Sequence, residues 1–221
     1  MKFFKILAMA ILTSFLVMGC SGSSSSDHED ISPPDKTIPF TKEMIVGTFY
    51  LYDDDDGYQG WTKIDIEEDG TSRYKNSKES GNGAWEIVEG KVVFTFSDGD
   101  ESTYALVSQT ETSYEMYGVD EDGGYYETWY KQQKFTKEML VGNSYHVEDE
   151  DNCDVRFEED FATVICSGDD ESVDIDYIID GDGVLVADDD GEEDKHYLIK
   201  LENDGFRAWN DDEASRWVLQ D

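Results

Sequence analysis

Basic residues are scarce in this chain of 221: 17 Lys and Arg stand against 53 Asp and Glu, a formal net charge of −36 at pH 7. Such a surface excludes nucleic acid and anionic headgroups as partners, because both are recognised through positive charge. Histidine is scarcer still, with only His28, His146 and His196. No Gly-x-Ser-x-Gly, His-Glu-x-x-His, Cys-x-x-Cys or phosphate-binding loop occurs, and carboxylate pairs are too numerous for any one to be informative. The chain is therefore not expected to be an enzyme. No helical period longer than one turn is visible, and the apolar run Ile6–Met18 is too short to span a bilayer. What remains is 13% aromatic and alternates apolar with polar residues, which separates it from a disordered acidic tail.

Residues 1–19 read as a targeting segment, with Lys2 and Lys5 as its charged region and Ile6 to Met18 as its apolar region. The run ends Leu16-Val17-Met18-Gly19-Cys20, which resembles the lipobox of bacterial lipoproteins. That resemblance implies cleavage before Cys20, acylation of its thiol and amine, and the stable anchoring that two or more acyl chains give. Residues 20–38 form a flexible Ser-rich and acidic tether. Ser21 after the cysteine, by resemblance to lipoproteins of enteric bacteria, implies delivery to the outer membrane. Loss of Lys2 and Lys5 would leave 15 basic residues against 53 acidic, a formal charge of −38.

An internal repeat organises the rest. FTKEMIVG at Phe40–Gly47 returns as FTKEMLVG at Phe135–Gly142, with Ile45 becoming Leu140 as the single change. Thr41 and Thr136 are placed to cap a helix. Phe40 with Ile45, and Phe135 with Leu140, are spaced as hydrophobic staples, and Gly47 and Gly142 end the turn. The pattern predicts a one-turn helix that plugs one end of a β-domain. Two units follow, 39–133 and 134–221, each with eight short strands. The first unit has Thr48–Tyr52, Trp61–Glu67, Thr71–Lys75, Ala84–Val88, Lys91–Phe96, Ser102–Val107, Ser113–Tyr117 and Tyr125–Lys131. Asp69-Gly70, Glu89-Gly90 and Asp98-Gly99 mark tight turns between them. In the second unit, Glu158-Glu159-Asp160 stands where Glu67-Glu68-Asp69 stands, and Trp217 answers Trp129.

Eight sequential strands with tight turns predict an all-β protein of two tandem up-and-down barrels, with a two-sheet sandwich as the alternative. A short helix, Gly47-Thr48-Phe49 at the first strand and the eight-strand meander resemble the lipocalin-like (calycin) group. In the second copy the aromatic moves by one, to Tyr145. The resemblance implies an Arg from the last strand stacked on the first-strand aromatic. Arg216 is the residue available for that role, and Thr128 occupies its place in the first copy.

Two sets of residues are candidates for binding. Acidic loops supply the oxygens that Ca²⁺ requires, and Asp53, Asp55, Asp188 and Asp190 represent them. The nearest approach to an EF-hand, Asp65-x-Glu67-x-Asp69-Gly70, ends at Asn76 where a Glu is needed. Among the aromatics, Tyr50, Tyr52, Trp61, Tyr117 and Trp129 are candidates for a ligand contact, although core packing accounts for most rings of this kind. The expected function is that of a membrane-anchored envelope lipoprotein that binds a small apolar ligand, a sugar or a partner protein. The alternative is an acidic structural or Ca²⁺-sequestering envelope protein. No cofactor is implied.

Cys153 and Cys166 flank the turn at Glu159-Asp160. A two-residue loop there pairs Phe157 with Ala162 and Val155 with Val164, and the same register sets Cys153 opposite Cys166. A disulfide is expected in the oxidising envelope. Thr62 and Lys75 are expected at the equivalent places in the first unit.

Overall fold

The computed structural model describes residues 31–53, 60–97, 99–120, 123–148, 152–167, 171–189, 191–210 and 213–220. The chain opens with α1 (Lys42–Ile45), then β1 (Gly47–Asp53), β2 (Gly60–Ile66), β3 (Thr71–Lys75), β4 (Ser80–Val88), β5 (Lys91–Phe96), β6 (Glu101–Gln109), β7 (Ser113–Asp120) and β8 (Gly123–Lys131). The order repeats as α2 (Lys137–Leu140), β9 (Ser144–Glu148), β10 (Cys153–Phe157), β11 (Phe161–Cys166), β12 (Val173–Ile179), β13 (Leu185–Asp189), β14 (Glu192–Glu202), β15 (Gly205–Asn210) and β16 (Glu213–Leu219). Each set of eight closes into an antiparallel barrel. Closure runs through Phe49–Lys131 and Tyr50–Tyr130 in the first, and through four pairs from Arg216–Glu148 to Leu219–Tyr145 in the second. The predicted pair of tandem barrels is thus the fold, and closure sets the sandwich aside.

The repeated octapeptide plugs each barrel as its apolar spacing demands. Ile45 and Leu140 are fully buried and Phe40 and Phe135 nearly so, each pair in the core of its own barrel. The threonines do not cap as predicted, since neither hydroxyl bonds a helix amide. They pair instead with Glu43 and Glu138. Each carboxylate also accepts its own backbone N–H, and both stay below the usual glutamate range.

The two barrels can be superposed through their hydrogen bonds. Phe40 N–H donates to Gly90 O at 2.9 Å, and Phe135 N–H donates to Gly183 O at 2.8 Å. Both glycines hold positive φ, +79° and +81°. A Cβ on either would stand 3.0 Å or less from the chain ahead of the helix, Pro39 or Lys134, so glycine permits the close crossing. Counting outward from this pair of glycines makes Val92 equivalent to Leu185 and Phe94 to Ala187. The cross-strand pairs Val92–Tyr104 and Leu185–His196 then equate Tyr104 with His196.

The hairpin of β10 and β11 has the predicted register, with Cys153 opposite Cys166, Val155 opposite Val164 and Phe157 opposite Ala162. The two cysteines form a disulfide with Cα atoms 3.9 Å apart. The expected counterpart in the first barrel is displaced by one residue. Its turn holds the extra Gly70, so Ile64 faces Tyr74 and Lys63 faces Lys75. Thr62 therefore faces Asn76 and not Lys75.

A third cluster joins the barrels. Tyr50 and Trp61 from the outside of the first pack against Ile199 and Trp209 from the outside of the second, with Tyr130, Tyr197 and Ala214 around them. Gln133, in the segment between the barrels, bonds Leu198 through its backbone and Ile199 through its side chain.

Candidate functional site

The two interiors differ because equivalent positions carry side chains of different size. In the first barrel Phe94 touches Phe96, Tyr104 and Trp129, and Tyr104 in turn touches Tyr125. The Tyr104 and Tyr125 hydroxyls meet at 2.9 Å and close that end of the core. In the second barrel Ala187 stands for Phe94, His196 for Tyr104, Val164 for Tyr74 and Ala208 for Met116. Trp217 keeps the place of Trp129, but its indole N–H donates to Ser215 at 2.8 Å where Trp129 donates to Glu127. The result is a cavity of about 510 Å³ inside the second barrel, within the range of sites for small ligands.

Its floor lies towards α2, where Trp217 stacks on Phe157 and Phe206 and meets Tyr145 edge-on. Its wall is apolar, with Val147, Val155, Ala162, Val164, Ile175 and Leu185. At the opposite end it is lined by Cys153, Glu192, Glu193, Asp194, His196 and Asn210. The disulfide thus ties two strands together beside the mouth. Alternation along β14 turns Asp194 and His196 inward. Asp194 accepts hydrogen bonds from His196 Nε2 at 3.2 Å and Asn210 Nδ2 at 2.9 Å. The bond from His196 is the main reason its carboxyl lies below the usual range.

Cys153 lines this cavity, whereas the described binding candidates Tyr50, Tyr52, Trp61, Tyr117, Trp129 and Asp188 are not among its lining residues. Trp129 is fully buried in the first core, and Tyr50 and Trp61 are covered at the junction between the barrels. Burial pushes the Tyr50 hydroxyl far above its ordinary pKa. Tyr117 packs on Tyr126 and donates to Ile31 O at 3.2 Å. Tyr52 is half-exposed beside Trp61. Cys20, Asp55 and Asp190 lie outside the described residues, as does the side chain of Asp53. Asp188 is exposed and accepts the Gly191 N–H at 2.7 Å, a turn cap of the kind short acidic side chains make. Among the described residues no group of three or more His, Cys, Asp or Glu side chains is arranged to hold a metal ion. Arg216 does not stack on Tyr145. It lies on the outer face, paired with Glu148, Glu202 and Asp204, because its neighbours Ser215 and Trp217 take the inward positions.

No protein-family model matches the sequence. No curated protein matches it either. The crystal structure of the Cpx pathway activator NlpE from Escherichia coli is similar over 79% of this chain and 91% of that one, at 18% identity and a TM-score of 0.28. A superposition that loose says nothing about what the chain does.

A second, smaller cleft of about 240 Å³ lies between the barrels, lined by Lys63, Asp65, Lys75, Glu193, Lys195, Tyr197 and Trp209. It is charged, and its apolar side is already covered by the junction. The cavity was legible in principle. Aligning the two units strand by strand sets Ala187 against Phe94 and His196 against Tyr104, and large-to-small exchange inside one of two similar barrels is the signal.

Proposed function

We propose that the chain is a lipid-anchored protein of the bacterial cell envelope, held at the outer membrane through Cys20, and that its second barrel binds a small apolar ligand. The observation that carries the reading is the cavity left where Ala187 and His196 replace Phe94 and Tyr104. A void of that size costs stability if it serves nothing, because its lining forgoes packing contacts. The first barrel, filled by its own rings, acts as the rigid partner against which the second is held. The lipocalin-like resemblance fits a ligand taken up inside a barrel, and the lipobox-like run supplies the anchor. The acidic exterior keeps the tethered domains soluble and away from anionic surfaces.

The test is uptake of the neutral apolar dye N-phenyl-1-naphthylamine by the mature protein. Fluorescence should rise saturably with the natural sequence and fail to rise with Ala187→Phe, which restores the first barrel's ring. Equal uptake by both would place the dye elsewhere and end the reading.

A further inference from the structure

The mouth of the cavity specifies what the ligand carries at its polar end. Among the described residues, Glu192, Glu193, Asp194, His196 and Asn210 line it, and no Lys or Arg is among them. Asp194 consumes the donors of two of them, taking the Nε2–H of His196 and the amide N–H of Asn210. Among the described residues, the two atoms left buried without a hydrogen-bond partner at this site are His196 Nδ1 and Asn210 Oδ1. Asn210 Oδ1 is an amide oxygen and can only accept, and His196 Nδ1, the ring nitrogen that Asp194 leaves free, is an acceptor in the neutral imidazole.

The two are also neighbours. His196 and Asn210 are directly opposed on β14 and β15, so their side chains leave the sheet side by side on one face. In the first barrel Gly118 takes the place of Asn210, and the Tyr104 and Tyr125 hydroxyls meet at 2.9 Å. A buried acceptor without a donor is costly. Two of them beside carboxylates call for a group that is positively charged and rich in N–H.

We infer that the second barrel selects amphiphiles with a primary ammonium head, whose apolar body fills the cavity while its N–H groups donate to His196 and Asn210. This rests on the cavity being a ligand site, as proposed above. A fatty acid would set its carboxylate against Asp194 and the two acceptors, and a quaternary ammonium would bring charge with no donor. Attraction of any cation to a chain of net charge −36 is common to both cationic heads, so comparing them isolates the hydrogen bonds.

The experiment is displacement of N-phenyl-1-naphthylamine from the mature protein by octylammonium, octyltrimethylammonium, octanoate and octanol at one ionic strength. Octylammonium should displace the dye at concentrations about tenfold or more below those of the quaternary ion, the factor expected for one charge-assisted hydrogen bond. Octanoate should be weaker than octanol. Asn210→Leu should shrink the gap between the two cations, whereas Asn210→Asp, which keeps an acceptor, should preserve the gap. Circular dichroism and an intact disulfide establish that each variant is folded. Equal potency of the two cations, or octanoate matching octylammonium, would overturn the inference while leaving the cavity reading intact. Failure of the protein to take up the dye would overturn both.

Discussion

Asn76 donates a hydrogen bond to Thr62 at 3.4 Å inside the first barrel, at the place where the second barrel joins Cys153 to Cys166. Both side chains are nearly inaccessible to solvent. One barrel thus fastens this rim with a buried polar contact and the other with a covalent bond. The covalent version borders the cavity, where fewer packed side chains hold the wall.

The disulfide closes a loop of sequence separation 13. Replacing both cysteines by serine should lower the unfolding free energy by about 2–3 kcal/mol, through the greater freedom of the unfolded chain. Urea titration of the mature protein reads this directly. The register can be checked in the first barrel, where Thr62→Cys with Asn76→Cys should bond and Thr62→Cys with Lys75→Cys should leave two free thiols.

Exchanging the two residues that distinguish the cores should have opposite effects. Phe94→Ala removes a ring packed on Tyr104 and Trp129, and should cost about 3–5 kcal/mol. Ala187→Phe enters space that is already open, so it should escape the roughly 1–3 kcal/mol penalty of overpacking a filled core. Chemical unfolding curves for the two variants decide it.

Acid should weaken the outside of the second barrel through Glu202. Burial acts to raise its pKa, but hydrogen bonds from Arg216, Lys200 and Arg207 outweigh this and hold it below the usual value. A carboxyl depressed in the folded state contributes stability that is complete above its unfolded pKa of about 4.3. That stability is lost as pH falls through the lower folded value. Arg216→Met should therefore lower the urea midpoint at pH 7 and flatten its decline below pH ~4.3. An unchanged decline would remove Glu202 as a source.

The anchor is tested apart from the barrels. Cys20→Ser should abolish incorporation of labelled palmitate and leave the leader attached, as a shift in mass on gels of whole cells would reveal. Palmitate uptake by the serine variant would defeat the lipobox reading.

Much of this architecture is legible in the sequence. Period-two alternation such as Val92, Phe94 and Phe96 placed the strands, and paired turn signals fixed most registers, including Cys153 against Cys166. Where reading failed, the cause is specific. Gly70 adds one residue to a turn whose acidic sequence otherwise matches Glu158-Glu159-Asp160, and that single residue moves the partner of Thr62 from Lys75 to Asn76. The threonines do not cap the helices because the acidic side chain two residues along offers each hydroxyl a stronger acceptor. Aromatic density drew attention to Tyr50, Trp61 and Trp129, yet density alone does not separate a ring that packs from a ring that binds. The signal of the cavity lies in missing bulk at Ala187 and His196, which shows when the two units are compared position by position.

The most direct measurement is a crystal structure of the mature protein purified from its own membranes without refolding. The account predicts elongated density inside the second barrel, with a polar end at His196 and Asn210, and none inside the first barrel. A second barrel holding only ordered water, or a ligand seated in the cleft between the barrels, would contradict it.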